Sequence, residues 1–231
     1  MPTATATPLE PGTRELLIVT AERLFAEQGI DRVSLRQIGE AAGRRQPSAV
    51  QYHFGDAHGL VRAIVAFRTA AANERRTVML DDLVLAGRAG DVPALLEAVA
   101  FPLLETLPAD SHYLGFVAEL LARKRIAPIF AEPGTEYGEN AQRIARYLDG
   151  ALRWVPTALR RRRIERALDT LLTSLARDWE PADRRRAAVR AGAAASDLMV
   201  ADVLACAAAM LTAPVPSVSV PESSSHRKRL R

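Results

Sequence analysis

"SLRQIGEAAGRRQPSAVQYHF", residues 34 to 54, contains the signals of two short helices with a turn between them. Ser34 and Gln37 have the S-x-x-Q spacing of a capping box, so a helix opens there. Leu35, Ile38 and Ala42 fall on one side of it, and Gly39 offers a small residue where another helix can cross. Gly43 stands where the helix must close, in the left-handed conformation that glycine adopts without steric cost. Pro47 suits the first turn of a following helix, where a missing N–H costs nothing. Val50 and Phe54, four residues apart, are that helix's apolar anchors.

A helix, a glycine-containing turn and a second helix make the layout of a helix-turn-helix, whose second helix enters the major groove of DNA. The polar residues left facing outward are Gln46, Ser48, Gln51, Tyr52 and His53, with Arg44 and Arg45 in the turn. Glutamine pairs with adenine, arginine with guanine or phosphate, and hydroxyls with phosphate oxygens. Ser34, Pro47 and His58 complete the set expected at the DNA.

Outward from this stretch, the helical signals continue in both directions. Upstream, Thr13 is a candidate cap for a helix whose apolar side is Leu17, Ala21, Leu24 and Phe25, closed by Gly29. Downstream, Asp56 is positioned to cap a helix beginning "AHGLVRAIVAF". Further helices are expected over roughly 91 to 106, 111 to 130 with a break before Pro128, 136 to 153, 158 to 178 and 196 to 211. The segment "ADRRRAAVRAGAAAS" after Pro181 reads as a short helix and a connector. No segment has a convincing alternation of period two, so the fold class is all-α.

The 231 residues are 48% hydrophobic and 25% charged, which fits a globular protein with a sizeable core. The net charge of +4 and pI near 9.7 favour an anionic partner. The start, "MPTATATPLEPGT", has neither a basic nor an apolar region of signal-peptide type. The apolar run 198 to 215 is interrupted by Asp202 and rich in alanine, which argues against a membrane span. A cytoplasmic location is expected. Cys206 is alone, which excludes an intrachain disulfide, and it reads as a small buried hydrophobe.

The segment "TAERLFAEQGIDRVSLRQIGEAAGRRQPSAVQYHFGDAHGLVRAIV" resembles the N-terminal domain of TetR-family transcriptional regulators. The matching features are "A-x-x-L-F-A-E-x-G" in the first helix, "S-x-x-x-I-G-E-A-A-G" in the second, and "Y-H-F" before a capped helix. The resemblance covers residues 13 to 66. It departs from the common family pattern in a turn one residue longer between Gly43 and Phe54, in Ala57 where a phosphate-holding lysine is usual, and in Gln51 at the place of a common tyrosine. His58 or a backbone N–H of the helix start is expected to take that phosphate.

The resemblance implies a three-helix DNA-binding head, over 13–56, and a larger helical-bundle domain for ligand binding and dimerisation, over 57–213. Residues 1–12 form an arm and 214–231 a basic disordered tail in this reading. It also implies a double-stranded operator with an inverted repeat, a small-molecule effector, and release of a homodimeric repressor from that operator. An activating or ligand-independent regulator stays open, as does a helical enzyme or adaptor with a borrowed head.

Phe101, Tyr113, Phe116 and Trp154 are the expected lining of an effector pocket. Ile164, Leu168, Leu171, Leu172 and Leu175, with Leu198, Ala201, Leu204, Ala205, Ala208 and Leu211, are the expected dimer interface. The last helix is apolar nearly all round and so needs cover on two sides.

The run "LRRRRIER" at 159 to 166 reads as a solvated helix face rather than a second DNA site. His53 and His58 are five apart across a helix break, which is not a ligand spacing, so no metal is expected. There is no phosphate loop, nucleophile elbow or Cys/His pairing, so neither a cofactor nor enzymatic activity is expected.

Overall fold

Helix ends leave backbone groups unpaired, and in the head a serine side chain and glycines at positive φ take over several of them. In a computed structural model of the chain, residues 12–43, 49–108, 110–124, 126–132, 134–178 and 194–216 are described. Every regular element among them is helical. The first is α1 (Gly12–Gln28), followed by a short 3-10 turn (Ile30–Arg32) and α2 (Leu35–Ala41). Ser34 caps α2 as its spacing predicts: its hydroxyl accepts from the Gln37 N–H at 3.2 Å, and the Gln37 side chain accepts from the Ser34 N–H at 2.8 Å. Gly43, at φ 70°, closes α2.

Next come α3 (Ala49–Phe54) and α4 (Ala57–Leu85). Asp56 caps α4 by accepting from the Gly59 N–H at 2.7 Å. The remaining helices are α5 (Val92–Thr106), α6 (Tyr113–Ala122), α7 (Ile126–Phe130), α8 (Glu136–Ala151), α9 (Thr157–Asp178) and α10 (Ala194–Thr212). α4 is the spine, packing on α1 and α3 in the head and on α5 and α8 in the body. α9 lies against α10 and α6, and α10 also touches α5. One hydrophobic cluster runs through head and body alike, from Leu17, Phe25, Ile38 and Val50 to Leu95, Phe116, Leu148 and Leu171.

Two buried polar arrangements set how these helices meet. Pro102 lies inside α5 and has no N–H for the carbonyl of Ala98. Arg76 of α4 supplies the missing donor. Its Nε donates to Ala98 O at 2.8 Å and its Nη2 to Val99 O at 3.2 Å, while Nη1 donates to Asn73 Oδ1 at 2.5 Å. Burial pulls this guanidinium down to about 10, with the Tyr113 phenol acting in the opposite direction, and it stays charged at neutral pH. Asn140 of α8 joins the same seam, donating to Thr77 Oγ1 at 3.0 Å and to Asn73 O at 3.3 Å.

The second arrangement joins head to body. Glu22 of α1 is buried, and its carboxylate accepts from Arg68 Nε at 2.5 Å and Nη2 at 3.2 Å. It also accepts from Ser111 Oγ at 2.9 Å and the His112 N–H at 2.8 Å. His112 makes no side-chain cap; the Tyr113 N–H at the start of α6 donates to Ser111 Oγ at 3.1 Å, and the head's carboxylate holds that hydroxyl and the His112 N–H in place. α6 lies close enough to α1 that a Cβ at Gly115 would come within 3.3 Å of Ala26 Cβ.

Several boundaries differ from those the sequence predicts. α1 starts at Gly12, which places Thr13 inside the first turn, buried, with its Oγ1 unpaired among the described residues. α6 ends at Ala122 and α7 begins at Ile126, so the break comes before Pro128 and leaves the proline inside α7. Lys124 adopts φ 53° and closes α6, and Pro128 then sits in the first turn of α7, where it removes no hydrogen bond. Cys206 is exposed, not buried, with no described residue covering its side of α10. The arm at 1–11, the segment 179–193 and the tail from 217 lie outside the described residues.

Candidate nucleic-acid interface

α3 is short because it needs only one buried edge. Val50 is fully buried in the head core and Phe54 half-buried beside it. A Cβ at Gly39 would sit 3.7 Å from Val50 Cγ2, an ordinary contact, so the crossing of α2 and α3 is close without requiring glycine. With Val50 inward, Gln51 and Tyr52 point outward, and Tyr52 is 75% exposed. They are the two expected DNA-facing residues of α3 that the structure leaves free.

His53 is placed differently from its neighbours. It is half-buried between Tyr52 and Phe54, with ring centroids at 5.5 and 5.8 Å. Its Nε2 is buried and has no hydrogen-bond partner among the described residues. Ser34 is exposed, but its side chain is engaged in the cap of α2. His58 is exposed on the first turn of α4. Arg44, Arg45, Gln46, Pro47 and Ser48 lie outside the described residues.

Sequence reading missed Arg14. Its guanidinium lies 5.4 Å from the centroid of the Phe54 ring, bringing a cation from the start of α1 to the end of α3. No motif links positions forty residues apart, so only the packing of α1 on the head reveals it.

Residues 17–64 match the profile of the bacterial regulatory proteins of the tetR family. The head is a tetR-family DNA-binding domain. The match spans α1 to the first part of α4, the same elements that hold Gln51 and Tyr52 outward, and marks the chain as a DNA-binding transcriptional regulator. Beyond the tetR-family head, the chain is similar to Salmonella enterica GusR at 16% identity, over 88% of this chain and 98% of that one, with a TM-score of 0.43. Comparison with curated proteins gives no match.

Of the four aromatic residues expected around an effector, two lie in ring contact with each other. Tyr113 and Phe116 are closed into the core, tilted against each other at 6.1 Å between ring centroids, with Phe25 of the tetR-family head stacked on Phe116 at 6.1 Å. Burial raises the Tyr113 phenol well above its ordinary value, so it stays neutral. Phe101 is half-buried against the core. Trp154 is 52% exposed, with the Arg163 guanidinium 5.8 Å from its ring centroid.

The α9 and α10 residues divide in two. Leu171, Leu175, Leu204 and Leu211 are buried within the chain and have no surface left for a partner, so they belong to its own core. Ile164, Leu168, Leu172 and Ala208 are half-buried, and Leu198, Ala201 and Ala205 are exposed. The arginines at 160 to 163 are largely occupied locally. Arg160 pairs with Asp149 at 2.6 Å and Arg161 with Glu165 at 3.1 Å. Arg163 donates to the carbonyls of Ala213 and, at 3.0 Å, Pro214, capping the end of α10. No cluster of metal-binding side chains and no membrane-spanning helix occurs among the described residues.

Proposed function

We propose that the chain is a cytoplasmic, homodimeric repressor that leaves an inverted-repeat operator when a small molecule binds the body. The single observation that carries the DNA half of this reading is the presentation of Gln51 and Tyr52 from a helix whose opposite edge is anchored by Val50. A glutamine amide offers a donor and an acceptor to an adenine edge, and a phenol suits a phosphate. In this reading 13–56 is the DNA-binding domain and 57–213 the effector and dimerisation domain.

Two heads reading one operator need a two-fold partner that holds the recognition helices about 34–36 Å apart, or a multiple of that. The uncovered apolar side of α10, with Leu198 70% exposed, supports such a partner. α4 is continuous from the head to the body, so a ligand that favours one setting of α4 shifts the spacing of the heads.

Changing Gln51 and Tyr52 to alanine tests the assignment. Operator affinity in a mobility shift should fall about 5- to 150-fold for a base contact, which contributes about 1–3 kcal/mol, and more evenly across sequences for a phosphate contact. Circular dichroism should stay unchanged because both side chains are exposed. Full operator affinity in the folded double variant would remove α3 from the interface.

A further inference from the structure

A cleft of about 420 Å³ opens where head meets body, within the size range of small-molecule sites, roughly 300–1,000 Å³. Its floor is apolar: Ile30 from the turn after α1, Val61 from α4, Leu120 from α6 and Ile129 from α7 are all buried. Its polar groups are basic. His58 and Lys124 line it, and both are exposed.

Lys124 is unusual in two further ways. It is the one non-glycine residue with positive φ among the described residues, at 53°, in the position that closes α6. A helix end of this form favours glycine, so a lysine there is held against its backbone preference. Its ammonium also has no ion-pair partner among the described residues, although carboxylates flank the cleft. Those carboxylates are engaged elsewhere: Asp31 and Glu119 with Arg123, Glu132 with Arg62, and Asp56 with the Gly59 N–H. The cleft therefore combines an apolar floor with a basic rim that no described residue neutralises.

We propose that this cleft binds a small amphipathic anion, an apolar body bearing one carboxylate, with the Lys124 ammonium on the carboxylate and His58 as a second donor. One ammonium and one imidazole match a monoanion. A phosphate ester would call for the neighbouring arginines, and Arg62 and Arg123 are already paired. A ligand seated here touches Ile30 of the tetR-family head, His58 at the start of α4, and Leu120, Lys124 and Ile129 of the body. Its occupancy fixes the setting of one against the other. That consequence for DNA rests on the effector-release reading above; the binding itself does not.

The test is calorimetric titration of the full chain, without DNA, with benzoate, octanoate and 4-phenylbutyrate, each paired with the alcohol of the same carbon skeleton. At least one acid should bind saturably and at least tenfold more tightly than its alcohol. Lys124→Gly keeps a backbone-compatible residue and should weaken that acid at least tenfold while leaving the alcohol unchanged. Ala57→Trp, at an exposed position lining the cleft, should abolish both. No binding by any acid, equal binding of acid and alcohol, or unaltered binding in either folded variant would overturn the site. Operator release is read separately by mobility shift, so a failure of the regulatory reading registers in a different measurement.

Discussion

The Glu22 carboxylate and the α6 end that it closes lie ninety residues apart in sequence. Removing it would leave Arg68, with a side chain only 9% exposed, as a buried cation without its partner. It would also uncap the Ser111–His112 turn. Glu22→Ala should therefore destabilise the chain by about 3–5 kcal/mol, the usual cost of breaking a buried pair from one side. Urea denaturation should show the midpoint falling, with Glu22→Gln losing less because the amide oxygen still accepts. None of this is legible from the helical pattern of α1. That pattern identifies Leu17, Ala21, Leu24 and Phe25 as the inward residues, and all four are buried. Glu22 shares their side of the helix, but a reading by hydrophobicity passes over a charged residue whose partners are remote. Lys124 went unread for a similar reason, since a lysine gives no signal that the backbone turns left-handed there.

Among the elements, α5 carries the clearest dependence on another helix. Its proline leaves an orphan carbonyl in the core, and Arg76 of α4 satisfies it. Arg76→Met keeps the bulk but removes every donor, and should cost about 1.5–3 kcal/mol, the range for a hydrogen bond to a charged group. Pro102→Ala returns an N–H to α5, so the same Arg76→Met change should cost less in that background. Chemical unfolding of the four members of this double-mutant cycle measures the coupling; equal costs in both backgrounds would show that Arg76 does not serve the proline.

The helices with local punctuation, Ser34 and Gln37 at α2, Asp56 at α4 and Asp91 at α5, start where their sequences indicate. The separation of α6 from α7 comes before Pro128, but the proline is not its breaker. In the structure the chain has already turned at Lys124, and a proline is well suited to a first turn.

At the scale of the whole molecule, α10 is an apolar helix that the described residues cover on one side only. Hydrophobic periodicity shows that such a helix needs two neighbours, but not which leucines go to which. The structure gives Leu204 and Leu211 to the chain's own core and leaves Leu198, Ala201 and Ala205 outside. If a second copy covers that side, Leu198→Glu should convert a dimeric mass to a monomeric one in light scattering. Helicity should remain, because the side chain is exposed in the single chain. Operator affinity should fall with it, since each head alone reads half a site. A dimeric mass retained by the variant would move the interface away from α10.

The Glu22 contact also limits how this protein can be recombined with its relatives. A chimera that exchanges only residues 34–54 alters what is read on DNA and leaves α1 seated in its own body. One that exchanges the head from α1 onward keeps the contact only where the incoming α1 carries an acceptor at position 22 for the Ser111 hydroxyl and the His112 N–H. The exchangeable unit is thus smaller than the domain, and its boundary lies after α1 rather than before it.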